Sequence, residues 1–134
     1  MFQLDEKLQA DTFFIADLKM SRLLLMNDSN YPWLILVPKK PNLVEITDLI
    51  FDEQIVVLQE VNLIAEILKK SFNADKLNIA NLGNVVKQLH IHIIARFKND
   101  TTFPKPVWGN ASAIPYQEKA VQDLIIKIRE LLPR

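Results

Sequence analysis

Residues 88–96 alternate: Leu89, Ile91, Ile93 and Ala95 fall on one side, and Gln88, His90 and His92 on the other. That period of two predicts a β-strand with one face on a core and a Gln-His-His row on the other, its members roughly 7 Å apart. Four more stretches read as strands. Residues 12–16 are aromatic and β-branched, 21–27 and 33–38 are apolar runs of strand length, and 76–80 is a fourth. Between the second and third, Asp28-Ser29-Asn30-Tyr31-Pro32 is a cluster of turn formers, so these two runs are expected to pair as an antiparallel hairpin. Pro38 and Pro41 end the third strand, because proline donates nothing to a ladder.

Helical spacing appears in three places. Leu4 and Leu8 suit a short helix over residues 4–10. From Glu45 onward Phe51, Ile55, Leu58, Val61, Ala65, Leu68 and Phe72 follow steps of three and four, which predicts a long helix burying that stripe. Thr47 or Asp48 suits the cap of a preceding turn, Asp52 and Glu53 suit the positive end of the helix, and Lys69 and Lys70 the negative end. After an irregular segment from Phe97 to Ala113, Pro115 is expected to open a C-terminal helix with Val121, Leu124, Ile125, Ile128 and Leu132 inward. The pattern predicts a single α+β domain over residues 1–134. Its core spans about 10–100 and holds an antiparallel sheet of about five strands and one long helix; the C-terminal loop and helix follow over 101–134.

Composition narrows the function classes. Lys and Arg balance Asp and Glu at 16 each, which argues against an extended nucleic-acid or membrane footprint. There is no cysteine, so disulfides, thiolate metal sites and cysteine nucleophiles are excluded. The N-terminus lacks the basic-then-apolar order of a signal peptide, and no apolar run reaches the ~18 residues of a membrane span, so a cytoplasmic location is expected.

The chain has two histidines, and both stand on the polar side of the 88–96 strand. Such a pair supports three chemistries: two ligands of a metal, a nucleophile with a helper at a phosphate, or general acid–base catalysis. A solvated pair of surface histidines is the alternative. The metal reading lacks other His or Cys ligands and would need carboxylates from afar, such as Asp17 or Asp28. Gly83, five residues before Gln88, suits a positive backbone angle or a close approach to a ligand. Asn27 and Asn84 read equally as loop residues. Trp108 either packs the tail on the domain or covers a cleft. Arg96 suits a structural ion pair, and Lys98 and Lys105 a solvated basic surface or one attracting polyphosphate.

The sequence Gly83-Asn84-Val85-Val86-Lys87-Gln88-Leu89-His90-Ile91-His92-Ile93-Ile94-Ala95-Arg96 resembles the signature of the histidine-triad superfamily of nucleotide hydrolases and transferases. That signature is His-x-His-x-His, two apolar residues, a small residue or proline, and often Arg. In this register Gln88 replaces the first triad histidine, and Gly83-Asn84 matches a usual Gly-Gln. A register starting at His90 and ending at Ile94 fits Gly83 and Arg96 less well. Strand, hairpin, long helix and two closing strands also follow the superfamily's order over about 10–100.

The resemblance implies His90 as the nucleophile on the α-phosphorus of a nucleotide, with a covalent nucleotidyl-histidine intermediate. It implies His92 as a partner of the phosphate oxygens, Asn84 beside the phosphate and Asn27 at the ribose, with Phe14 and Leu24 sandwiching the base. Trp33 stands near a place where many members carry another histidine. Gln88 can hydrogen-bond but not titrate, so the nucleophile is kept while the proton-handling partners are reduced. A dinucleoside polyphosphate or nucleoside phosphoramidate hydrolase or transferase is the implied activity. A homodimer is the implied assembly, with no required cofactor and magnesium only as a companion of polyphosphate. The competing classes are a nucleotide-binding module of low activity and a metal-dependent hydrolase.

Overall fold

The computed structural model describes residues 1–134. Its centre is the hairpin of β2 (Ser21–Met26) and β3 (Trp33–Pro38). β1 (Thr12–Asp17) flanks it on one side, and on the other lie β5 (Ile91–Arg96) and then β4 (Lys76–Ala80). The order is β1-β2-β3-β5-β4, and each neighbour is antiparallel. Three helices complete the domain: α1 (Glu6–Asp11), α2 (Phe51–Ser71) and α3 (Glu118–Leu131). None is long and apolar enough to cross a membrane.

Both faces of the sheet are covered. Leu23, Leu25, Leu34, Leu36, Ile91, Ile93 and Ala95 meet Val57, Val61, Ile64 and Leu68 of α2 and Val121, Ile125 and Ile128 of α3. On the opposite face a smaller core joins Leu24, Trp33, Ile35, Val37 and Ile94 to Leu8 of α1, Tyr31 and Val107. Coverage on both sides explains why β3 reads as an unbroken apolar run rather than an alternation.

Several boundaries differ from the sequence pattern. β5 begins at Ile91, because Leu89 N–H donates to the Leu43 carbonyl and not to a neighbouring strand. The alternation nevertheless persists through Leu89, which is buried in the main core. On α2 the buried line runs through Val57, Val61, Ile64 and Leu68, so Val61, Ala65 and Leu68 are inward as expected. Phe51, Ile55 and Leu58 belong to an adjacent apolar line that misses the sheet; Phe51 is 72% exposed. Asp48 accepts from the amides of Val44 and Glu45 and so caps the turn before α2, as expected, while the first turn of α2 itself is closed by Glu53 on the Ile50 amide. α3 starts three residues past Pro115, because the amides of Ile114 and Tyr116 are held extended by Asp28 and Asn27. Gly83 has no positive φ; a Cβ there would stand 3.0 Å from the Val86 carbonyl oxygen, so the glycine serves a tight loop.

Arg96 is wholly buried and fully paired. It donates to both Asp100 oxygens at 2.9 and 3.1 Å, to Asn78 at 2.8 Å and to Thr102 at 3.1 Å, between the rings of Tyr31 and Phe103. Burial pushes the Asp100 carboxyl up. The hydrogen bonds from Arg96 and the amides of Phe97, Phe103 and Thr102 outweigh it and hold the group at about 2. The folded state therefore binds fewer protons than the unfolded one as pH falls through the ordinary carboxylate range. Stability from this pair is complete above pH ~5 and is lost on acidification towards 2. Arg96→Met should cost about 3 kcal/mol by stranding a buried carboxylate. Asp100→Asn should flatten the acid limb, both being read by urea unfolding between pH 7 and pH 3.

Candidate active site

Polar side chains on the smaller-core face of β5 and of the residue leading into it must find partners, since leaving one unpaired in such a place is costly. His90 and His92 do so in opposite ways. Nδ1 of His90 lies 2.7 Å from the Gln88 carbonyl oxygen. A carbonyl only accepts, so Nδ1 carries the proton and Nε2 keeps a free lone pair. Nδ1 of His92 lies 3.0 Å from Trp33 Nε1, a group that only donates. Its neutral ring therefore carries its proton on Nε2. The two rings are edge-to-face with centroids 4.8 Å apart, and Trp108 stands edge-on to His92 at 5.0 Å.

His92 is held neutral. Burial, and after it the neighbouring His90, lower its pKa; against the opposing Leu82 carbonyl the net result is about 4. Protonation would also turn an N–H of His92 against the indole N–H of Trp33.

Both histidines line a cleft of about 210 Å³. Its walls are Lys7, Leu8 and Asp11 of α1, Met26 at the end of β2, Leu82, Asn84, Val85 and Val86 of the β4–β5 loop, and Trp108. Of the residues proposed from sequence, His90, His92 and Asn84 are brought together here. Gln88 is adjacent in chain but turned away: its Oε1 accepts from the Asp5 amide at 2.8 Å and its Nε2 donates to the Gln3 carbonyl at 2.9 Å. Asn27 neighbours Met26, and its Oδ1 accepts from the Tyr116 amide at 2.8 Å.

The expected Phe14–Leu24 sandwich is not at this cleft. The register places Phe14, Leu24, Ile35 and His92 in one row across β1, β2, β3 and β5, so Phe14 is three strand spacings, roughly 14 Å, from His92. Leu8 of α1 lies over that row in the smaller core, and Phe14 and Leu24 line a separate groove with Arg22. The apolar walls of the His cleft are instead Leu8, Met26, Val86 and Trp108. The wall formed by α1 was not found from sequence. Its signal, the tie between residues 3–5 and Gln88, lies more than 80 positions apart in the chain. No group of three or more His, Cys, Asp or Glu side chains is placed to hold a metal ion.

An antiparallel five-stranded sheet carrying a His-x-His pair behind a Gly-Asn loop defines a histidine-triad class of protein. The HIT domain model matches residues 7–99, and the chain belongs to that family. A histidine triad protein from Bradyrhizobium japonicum is 42% identical, with 98% of both chains covered and a TM-score of 0.95. One from Marinobacter aquaeolei VT8 is 41% identical over 98% of this chain and 96% of its own, with a TM-score of 0.96. A Plasmodium falciparum diadenosine triphosphate hydrolase, in complex with cyclomarin A, shares the fold at 21% identity, with coverage of 97% and 79% and a TM-score of 0.64. No match is found among curated proteins.

NMR titration of the ring resonances should show His92 inflecting near pH 4 rather than 6.5. The stability that its neutral ring contributes is complete above pH ~6.5 and is lost as pH falls towards 4. Trp33→Phe removes the donor that reserves Nδ1 and should raise the inflection by about half a unit to one unit.

Proposed function

We propose that the protein hydrolyses or transfers nucleotidyl groups, with His90 attacking the α-phosphorus of a nucleotide. The observation that carries this reading is the hydrogen bond from His90 Nδ1 to the Gln88 carbonyl, which leaves the nucleophilic lone pair on the nitrogen available to the cleft. The Nε2–P bond forms as the bond to the leaving group breaks, giving a nucleotidyl-histidine. Water, or another acceptor, then displaces His90 with loss of a proton. His92, neutral with its proton on Nε2, donates to a phosphate oxygen. The amides of Asn84, Val85 and Val86, residues that line the cleft, donate to no backbone carbonyl, which suits them to hold the phosphate charge. The side chain of Asn84 adds a further donor beside them.

Gln88 supplies no proton, and its amide is already engaged. The chemistry therefore favours leaving groups stable as anions, as in a dinucleoside polyphosphate, over amines that must be protonated as they depart. Magnesium would enter only as a companion of such a substrate. The same commitment of Gln88 supports the second reading, a nucleotide-binding module with little turnover. A homodimer is part of the proposal: the exposed line Phe51, Ile55 and Leu58 on α2 and the edge strand β4 offer an apolar face and an open ladder. Asn27, tied to Tyr116, would reach a ribose only through its remaining amide donors.

Intact-protein mass spectrometry after a short acid-free quench tests the mechanism, with diadenosine polyphosphates and adenosine phosphoramidates offered in turn. A nucleotidyl adduct is expected on the wild type and absent from His90→Ala, whose turnover should fall by roughly a thousandfold or more. His92→Ala should keep the adduct and lose about a hundredfold in rate. Bound monophosphate with neither adduct nor product would favour the binding module. An adduct lost only in His92→Ala would reverse the two roles.

A further inference from the structure

Apart from the histidines, the cleft is lined by apolar side chains, one asparagine and a single pair of charges, Lys7 and Asp11. The pair occupies one face of α1 at a spacing of four residues, with Lys7 Nζ 3.0 Å from Asp11 Oδ2. Both side chains are open to solvent, at 59% and 45% exposure. An exposed pair of this kind contributes little to stability and rearranges easily. Asp11 Oδ1 and the other ammonium hydrogens of Lys7 accept or donate no other hydrogen bond within the chain. Between the two charges in sequence is Leu8, buried against the smaller core. The cleft thus combines apolar walls with one charged rim, which suits a flat ring that is apolar on its faces and polar at its edge.

We propose that Lys7 and Asp11 read the edge of the base and that the site selects guanine. The inference rests on the nucleotide reading of the cleft given above. The pairing edge of guanine presents one acceptor, O6, followed by two donors, N1–H and the exocyclic amine. A lysine beside a carboxylate presents the complement, one donor followed by two coplanar acceptors. The carboxylate takes N1–H and the amine together, a bidentate arrangement that is strong and geometrically selective. Adenine offers one donor and one acceptor on the same edge and leaves a carboxylate oxygen unmatched. Hypoxanthine keeps O6 and N1–H but lacks the amine. Cytosine needs two in-plane donors beside one acceptor, which the tetrahedral ammonium of a single lysine does not supply.

Calorimetric titration of the full chain with GMP, IMP, AMP and CMP tests this without turnover. GMP is expected to bind about tenfold more tightly than AMP, with IMP between them. In Asp11→Asn one acceptor becomes a donor, and GMP should weaken by about tenfold while AMP changes little, erasing the preference. Lys7→Met should weaken GMP and IMP alike, since both carry O6. Equal affinities for GMP, IMP and AMP, or tightest binding of CMP, would overturn the guanine assignment and leave the nucleotide reading standing. Binding of none of the four would overturn the nucleotide reading itself.

Discussion

The cleft depends on Gln88. Its side-chain amide accepts from Asp5 and donates to Gln3, and Asp5 in turn caps α1 through the amides of Lys7 and Leu8. Its backbone carbonyl fixes which nitrogen of His90 bears the proton. One residue therefore places a wall of the cleft and sets the tautomer of the ring at its floor. A histidine at this position could titrate; the glutamine holds a neutral donor and a neutral acceptor at every pH. Its amide is thus a tie between residues 3–5 and the entry to β5 that no change of pH releases.

The second constraint is the need to satisfy polar groups beneath the smaller core. β5 sends His92 and Arg96 to that face with Ile94 between them. His92 is satisfied by Trp33 of the facing strand, and Arg96 by Asp100, Asn78 and Thr102. Thr102 is also within 2.8 Å of the Tyr31 hydroxyl, and Tyr31 stands edge-on to Trp33. Histidine and arginine are thus joined through side chains that are themselves packed, which keeps the site rings in register with the sheet. The irregular segment after β5 is held in place by the same groups.

Local pattern made much of the fold legible. The runs at 12–16, 21–27, 33–38 and 76–80 became β1 to β4 with boundaries shifted by at most a residue, because strand period and turn formers act over a few positions. The same is true of His90 and His92, whose spacing alone puts them on one face. What was not legible was decided by distant chain. Two apolar lines run along α2, and only the sheet selects the one to bury. Pro115 is a good helix opener, yet Asn27 and Asp28 hold its neighbours extended. Phe14 and Leu24 do face the same side as His92, but α1 lies over their row, and the cleft takes Leu8 of α1 and Met26 of β2 instead.

A six-residue helix is far shorter than the ~12–15 residues at which isolated helices become marginal in water. α1 therefore exists by virtue of its cap, its contact through Leu8 and the clamp at Gln88. The protein's affinity for whatever fills the cleft then includes the population of molecules in which the first eleven residues are docked. Fraying of this end lowers apparent affinity in proportion to the undocked fraction, and a bound ligand protects the end from exchange to an extent set by its concentration relative to its Kd. Residues 1–11 are thereby thermodynamic participants in whatever the cleft recognises, including those that never touch the ligand.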